Sequence, residues 1–194
     1  MIEPSRIYVH RANLHSNDAS GNDYNVIRHI LRFTNFKIEL DVWQTDDGLL
    51  IGHDLVTARK FLSGELEDLR MGDRHRIILH CKNWRALDAV KSLGFDYFFH
   101  DSDILTHTKN GTPWFHPIFV ENLYKRSVLE KTDVSKLFNC YPKNSILVFP
   151  ESLVKFTEET VDLGVWRYMM LMLGQLNNSF CVDFPFEFEK RMLG

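Results

Sequence analysis

Two spacings alternate along the chain. Short apolar runs rich in β-branched and aromatic residues, at 6–10, 37–43, 76–82, 96–101, 145–149 and 180–184, predict strands. Between them the spacing turns helical. Residues 22–33 put Val26, Ile27, Ile30 and Leu31 on one stripe, behind Asn22 or Asp23 as a cap. Residues 84–93 and 157–176 predict further helices, the last interrupted by Gly164 and Gly174. Strand–helix–strand alternation implies an α/β fold on a mainly parallel sheet, open or closed into a barrel. Two hairpins are expected beside it. One turns at Asp46-Asp47-Gly48 into Leu49-Leu50-Ile51, and the other turns at Asn110-Gly111. With no repeat, low-complexity tract or linker, residues 1–194 read as one domain.

The chemistry-bearing residues gather at the strand ends. In Ile38-Glu39-Leu40-Asp41-Val42 the two acids share one face and the three aliphatics the other. A strand buried on both faces is ordinarily apolar throughout, so two acids on one face call for water, a metal or a cation. The third strand repeats the pattern, with Ile77, Leu79 and Cys81 against Ile78, His80 and Lys82. His10-Arg11, His100-Asp101, Glu151 and Asp183 close other strands. Polar groups at the carboxyl ends of successive parallel strands are the layout of a barrel active site. Singly, His10 and His53 read as structural or exposed, and ordinary surface acids on an edge strand are the lesser alternative for Glu39 and Asp41; the metal reading gains from the combination. His15, His29, His75, His107 and His116 receive no role, and Trp166, Tyr168 and Met169–Met172 read as core packing.

Composition narrows the partners. Lys+Arg 23 against Asp+Glu 26 gives a net charge of −3, which excludes the broad basic surface of a general nucleic-acid binder. Cys81, Cys140 and Cys181 are odd in number and far apart, so reduced thiols in a cytoplasmic protein are expected. No targeting signal is expected from Met1-Ile-Glu-Pro. The longest uncharged stretch, 168–182, is broken by Gly174, Gln175, Asn177, Asn178 and Ser179, so no transmembrane segment is expected either.

Three pieces in order carry a resemblance: Val9-His10-Arg11-Ala12, then Ile38 through Gly48 with Glu39-Leu40-Asp41-Val42 and Thr45-Asp46-Asp47-Gly48, then Gly52-His53-Asp54. They resemble the glycerophosphodiester phosphodiesterase family, within the phosphatidylinositol phospholipase C-like phosphodiesterases, whose pattern is His-Arg-Gly, Glu-x-Asp-Val-x-x-Thr-x-Asp-Gly and His-Asp. His80-Cys81-Lys82 sits where that family has Glu-x-Lys, and Val182-Asp183-Phe184-Pro185 resembles its closing Thr-Asp-x-Pro. The resemblance implies His10 and His53 as the general acid/base pair, and Arg11 and Lys82 as phosphate holders. It implies Glu39 and Asp41 as ligands of a divalent cation. It further implies a small-molecule or lipid-headgroup phosphodiester as substrate, hydrolysed directly or through a cyclic phosphate.

The chain departs from the pattern in three places. Ala12 replaces a glycine and narrows the room beside the phosphate. His80 replaces a metal-binding glutamate, so the third ligand is His80, at the matching position, or Glu151. Oxygen ligands favour Mg²⁺ or Ca²⁺, and an imidazole brings in Zn²⁺ or Mn²⁺. At 194 residues, against the roughly 250 of a full barrel, the expectation is a short, divergent member on a compact TIM (β/α) barrel, trimmed or irregular. Six strands are expected, with 114–116 as a candidate seventh. Two rivals stand beside the phosphodiesterase. One is a non-catalytic descendant that binds a phosphorylated ligand, and the other a metal-assisted lyase or hydrolase of another anionic substrate.

Overall fold

The computed structural model describes residues 2–14, 21–100, 103–129, 143–149 and 162–193. In chain order its elements are β1 (Ile7–His10), α1 (Tyr24–Phe33), β2 (Lys37–Thr45), β3 (Gly48–Ile51), β4 (Arg59–Lys60), α2 (Ser63–Met71), β5 (Ile77–Cys81) and α3 (Trp84–Val90). There follow β6 (Asp96–Phe99), β7 (Leu105–His107), β8 (Pro113–Phe115), α4 (Pro117–Leu129), β9 (Ile146–Val148), α5 (Leu163–Gln175), β10 (Ser179–Val182) and α6 (Pro185–Leu193).

Parallel ladders run β8-β9-β10-β1-β2-β5-β6. The long strand β2 serves three neighbours. Its start pairs with β1 (His10 opposite Glu39), its middle with β5 (Asp41 opposite His80), and its end turns back on β3 (Val42 opposite Ile51). Both predicted hairpins form, β2–β3 at Asp46-Asp47 and β7–β8 at Asn110-Gly111. The 114–116 segment supplies β8, parallel to β9.

Alternation along each strand divides two apolar compartments. Ile7, Val9, Ile38, Leu40, Val42, Ile77, Leu79, Leu147, Phe180 and Val182 join the core shared with Ile27 and Ile30 of α1, Ala86 of α3 and Met169 of α5. On the opposite face Tyr8, Ile78, Phe98, Trp114, Ile146, Val148 and Cys181 form a second cluster, drawn from six strands. Side chains from one face of so many parallel strands can meet only if the sheet curls around them. The result is an α/β fold with a sheet curled part-way into a TIM-like barrel. Among the described residues no ladder closes β6 onto β8. The seam is spanned by Phe98 stacking on Trp114 at 4.1 Å, and by the Lys109 N–H, which donates to the Tyr97 carbonyl at 2.7 Å.

The capping residues explain several boundaries. Asp23 accepts from Asn25 and Val26 to start α1, and Asn83 accepts from Ala86 to start α3. At the far end of α1, the Arg76 guanidinium donates to the carbonyls of Leu31, Thr34 and Phe36 at 2.7, 2.7 and 2.6 Å. Arg6 does the same for α5, reaching the carbonyls of Gly174 at 3.0 Å and Asn178. Asp162 caps α5, so the predicted helix at 157–176 begins at Leu163, and 157–161 lie outside the described residues. Among the described residues three α-helices are additional to those expected. In α2 only Leu69 is buried, too thin a stripe to show as periodicity, while α4 and α6 each open on a proline at the first helical position. Of the expected packing cluster, Trp166, Met169 and Met170 are buried, but Tyr168 is 39% and Leu171 53% exposed, both on the outer side of α5.

Candidate metal centre

The curl carries the polar ends of β1, β2, β5 and β10 to one place. Glu39 and Asp41 are each 1% exposed, which removes the reading of them as surface acids. With His80 they form a buried triad whose candidate ligand atoms all lie within 4.8 Å of one another. His80 Nδ1 is 2.9 Å from Asp41 Oδ1 and 3.4 Å from Glu39 Oε1. Lys82 Nζ stands 3.6 Å from Asp41 Oδ1. His80 near the end of β5 and Lys82 just past it both reach the same oxygen of Asp41, and the ladder sets His80 directly across from Asp41.

The turn after β1 completes the surroundings. Arg11 and Ala12 both take left-handed backbone, with φ of 52° and 55°. This bends the chain so that the Arg11 N–H donates to Glu39 Oε2 at 3.0 Å. Beyond His10 no β1 residue remains to pair with Asp41, and the Asn22 side chain takes the place, its Oδ1 accepting from the Asp41 N–H at 3.1 Å. His10 Nδ1 lies 3.2 Å from Asp183 Oδ2, which leaves Nε2 facing Glu39 Oε2 at 3.9 Å. Asn13 Nδ2 donates to Asp183 Oδ1 at 3.1 Å, and Arg11 Nη2 stands 3.9 Å from the same oxygen.

Charge follows from this crowding. Burial disfavours the ionised form of Asp41, yet His80 and Lys82 outweigh it and bring its pKa down to about 2. Burial likewise works against a charged His80, and Asp41 and Glu39 overcome it to lift the imidazole to about 9. His10 is raised because Glu39 and Asp183 outweigh its own burial. Asp183 is lowered, burial again losing, here to His10, Arg11 and Asn13. His100, beside His80, goes the other way: burial and then the charge of His80 push it down to about 4.

The donor set suits a divalent cation. Asp41 Oδ1 and Oδ2 and His80 Nε2 are buried with no hydrogen-bond partner, although Oδ1 lies so close to Nδ1. A cation bound through His80 would displace the imidazole's proton and take over the charge that the proton balances beside Asp41 and Glu39.

His10, Arg11, Glu39, Asp41, His80 and Lys82 are therefore brought together. His53 stands apart in its contacts. Its side chain is 49% exposed in the turn after β3, with Nδ1 3.1 Å from Asp54 Oδ1. Glu151, the alternative third ligand, and Asp101 lie outside the described residues. Asp183 was legible as a strand-end acid, but its grip on His10 was not. His100 was legible in the same way, but its stacking on His80 was not, and neither Asn13 nor Asn22, read only as a candidate helix cap, gave a signal of its bond to Asp183 or Asp41.

No protein-family model and no curated protein matches the sequence. Among solved structures the chain is similar to one from Galdieria sulphuraria, provisionally named a glycerophosphodiester phosphodiesterase. The two share 11% sequence identity over 100% of this chain and 99% of that one, with a TM-score of 0.46. A similarity of that size decides neither family nor reaction. No helix among the described residues is long and apolar enough to cross a membrane.

Proposed function

We propose that this chain is a divalent-metal-dependent phosphodiesterase acting on a glycerophosphodiester-like or related small phosphodiester. The carrying observation is the convergence of Glu39, Asp41 and His80 within 4.8 Å, with His10 and Lys82 against the same acids. These are the positions whose motifs resemble the glycerophosphodiester phosphodiesterases.

Glu39, Asp41 and His80 would hold the metal, which when bound stabilises negative charge building on the phosphoryl oxygens. Arg11 and Lys82 bring the cationic donors that a phosphodiester monoanion needs in order to approach a nucleophile. Asp183 takes the Nδ1 side of His10 and Asp54 that of His53, so each imidazole presents Nε2 for proton transfer. One histidine accepts the proton of the attacking hydroxyl as the new P–O bond forms. The other protonates the departing alkoxide as the old bond breaks. A cytoplasmic location belongs to the same reading and suits the free, buried thiols of Cys81 and Cys181.

A second reading, capture of a phosphorylated ligand without turnover, draws on the exposed position of His53 and its pairing with Asp54. One assay separates the two. Bis(p-nitrophenyl) phosphate and a glycerophosphodiester are offered with Mg²⁺, Ca²⁺, Mn²⁺ or Zn²⁺, with EDTA as control and calorimetry on glycerol phosphate alongside. Turnover with at least one metal, abolished by EDTA and by His10→Ala, is expected. Tight binding with no turnover for any metal selects the binder, and turnover that survives EDTA removes the metal mechanism.

A further inference from the structure

An imidazole that binds a metal through one nitrogen ordinarily has its ring plane fixed by a hydrogen bond from the other, to a carboxylate or a carbonyl. His80 lacks that partner: Nδ1 faces Glu39 and Asp41, while Nε2 is buried with nothing to bond. Its ring is held by the face instead. His80 and Phe98 are register partners across the β5–β6 ladder, and their rings stack at 4.6 Å and 9°. His100, two residues beyond Phe98, stacks on the same imidazole at 4.6 Å and 11°.

Phe98 and His100 are themselves 5.7 Å apart and inclined by 9°. Two rings sandwiching His80 would be separated by roughly twice the stacking distance, so they lie side by side as one slab over a single face of it. Trp114 backs Phe98 at 4.1 Å, and His116 meets His100 edge-on at 5.8 Å. The slab is thus braced on both sides, and Phe98 and Trp114 are almost wholly buried.

We propose that Phe98 and His100 are positioning residues for His80: their joined faces hold the imidazole plane with Nδ1 turned to the two acids, in place of a hydrogen bond at Nε2. The inference rests on the metal reading above and adds how this chain orients a histidine where its relatives in motif carry a glutamate. It also accounts for an otherwise costly feature. A neutral His80 that ligates through Nδ1 keeps its proton on a buried Nε2 without an acceptor, so the orientation needs another source of hold.

His100 is half-buried at the end of β6, so its variants should fold, and two of them separate ring face from ring nitrogen. Mn²⁺ and Zn²⁺ affinities are measured by calorimetry on wild type, His100→Ala and His100→Phe. Long-range proton–nitrogen spectra of the histidine rings are recorded on the same three proteins without metal. His100→Ala is expected to weaken metal binding about 10-fold or more and to broaden or shift the His80 ring signals, and His100→Phe to restore both. The proposal is overturned if His100→Ala leaves the metal-free His80 signals and the affinity as in wild type. It is overturned equally if His100→Phe behaves like His100→Ala, since the nitrogens rather than the face then matter. Wild-type protein that binds no divalent cation overturns the metal reading and the ligand role with it. The metal-free spectra tell that failure apart from a slab that does not hold His80.

Discussion

Asp41 Oδ1 and His80 Nδ1 lie 2.9 Å apart in the interior of the curled sheet, facing each other across the β2–β5 ladder, and neither acid oxygen of Asp41 has a hydrogen bond. A charged pair this close and this dry persists because each group stabilises the charge of the other. The same two donors converge where a cation would be bound.

Asp41→Asn removes one ligand and one charge at nearly constant shape. Metal affinity should fall by about 100-fold or more, beyond the usual effect of losing only a partner of a ligand, and phosphodiesterase turnover should fall with it. Calorimetric titration of Mn²⁺ into both proteins checks this, and an unchanged affinity would place the cation elsewhere.

The metal-free protein should lose stability on the alkaline side. His80 has a pKa raised to about 9 in the fold, against about 6.5 when unfolded, so its contribution is complete below about pH 6.5 and lost as pH rises through about 9. The raised pKa of His10 acts in the same direction. Asp41, lowered from 3.8 to about 2, contributes fully above about pH 3.8 and loses that contribution as pH falls through about 2. Thermal melts with EDTA should give a lower Tm at about pH 8.5 than at about pH 6.5, and the difference should shrink in His80→Gln. Saturating metal should shrink it too, since a metal-bound imidazole no longer needs its proton.

His53→Ala separates proton transfer from metal binding. The side chain is half-exposed and paired with Asp54, so its loss should leave metal affinity and Tm near wild type while kcat drops about 100-fold or more. A variant with full activity would take His53 out of the reaction and leave His10 as the one imidazole of the pair.

Gly52→Ala tests the turn that carries His53. Gly52 has φ of 152°, and a Cβ there would meet Ala58 Cα at 2.7 Å, a backbone clash that no side-chain rotation relieves. The Gly52 N–H donates to the Asp41 carbonyl at 3.1 Å, and its own carbonyl accepts from Trp43 Nε1 at 3.0 Å, so the clash is transmitted to β2. A loss of about 1–3 kcal/mol is expected by denaturant titration, with activity lowered more than Tm alone accounts for.

Much of the architecture was legible from local pattern. Alternation in Ile38-Glu39-Leu40-Asp41-Val42 reflects a side chain's choice between two faces, which each residue makes with its immediate neighbours. The same holds for the turns at Asp47-Gly48 and Asn110-Gly111, and for the cap at Asp23. Helices α2, α4 and α6 were hidden because a weak or partly polar stripe is stabilised by what it packs on, not by its own period.

The sequence alone determined which side chains face the same way along each strand, and so which acids, histidines and cations could share a site. Only the tertiary structure decided that they meet. Register set His80 opposite both Asp41 and Phe98, the β1–β10 ladder with Val9 opposite Val182 brought Asp183 to His10, and the left-handed turn at Arg11 and Ala12 laid a backbone N–H on Glu39. The reason is physical: facing is a property of one strand's pleat, whereas proximity between residues as far apart as His10 and Asp183 depends on ladder pairing and sheet curvature, which many distant contacts settle together.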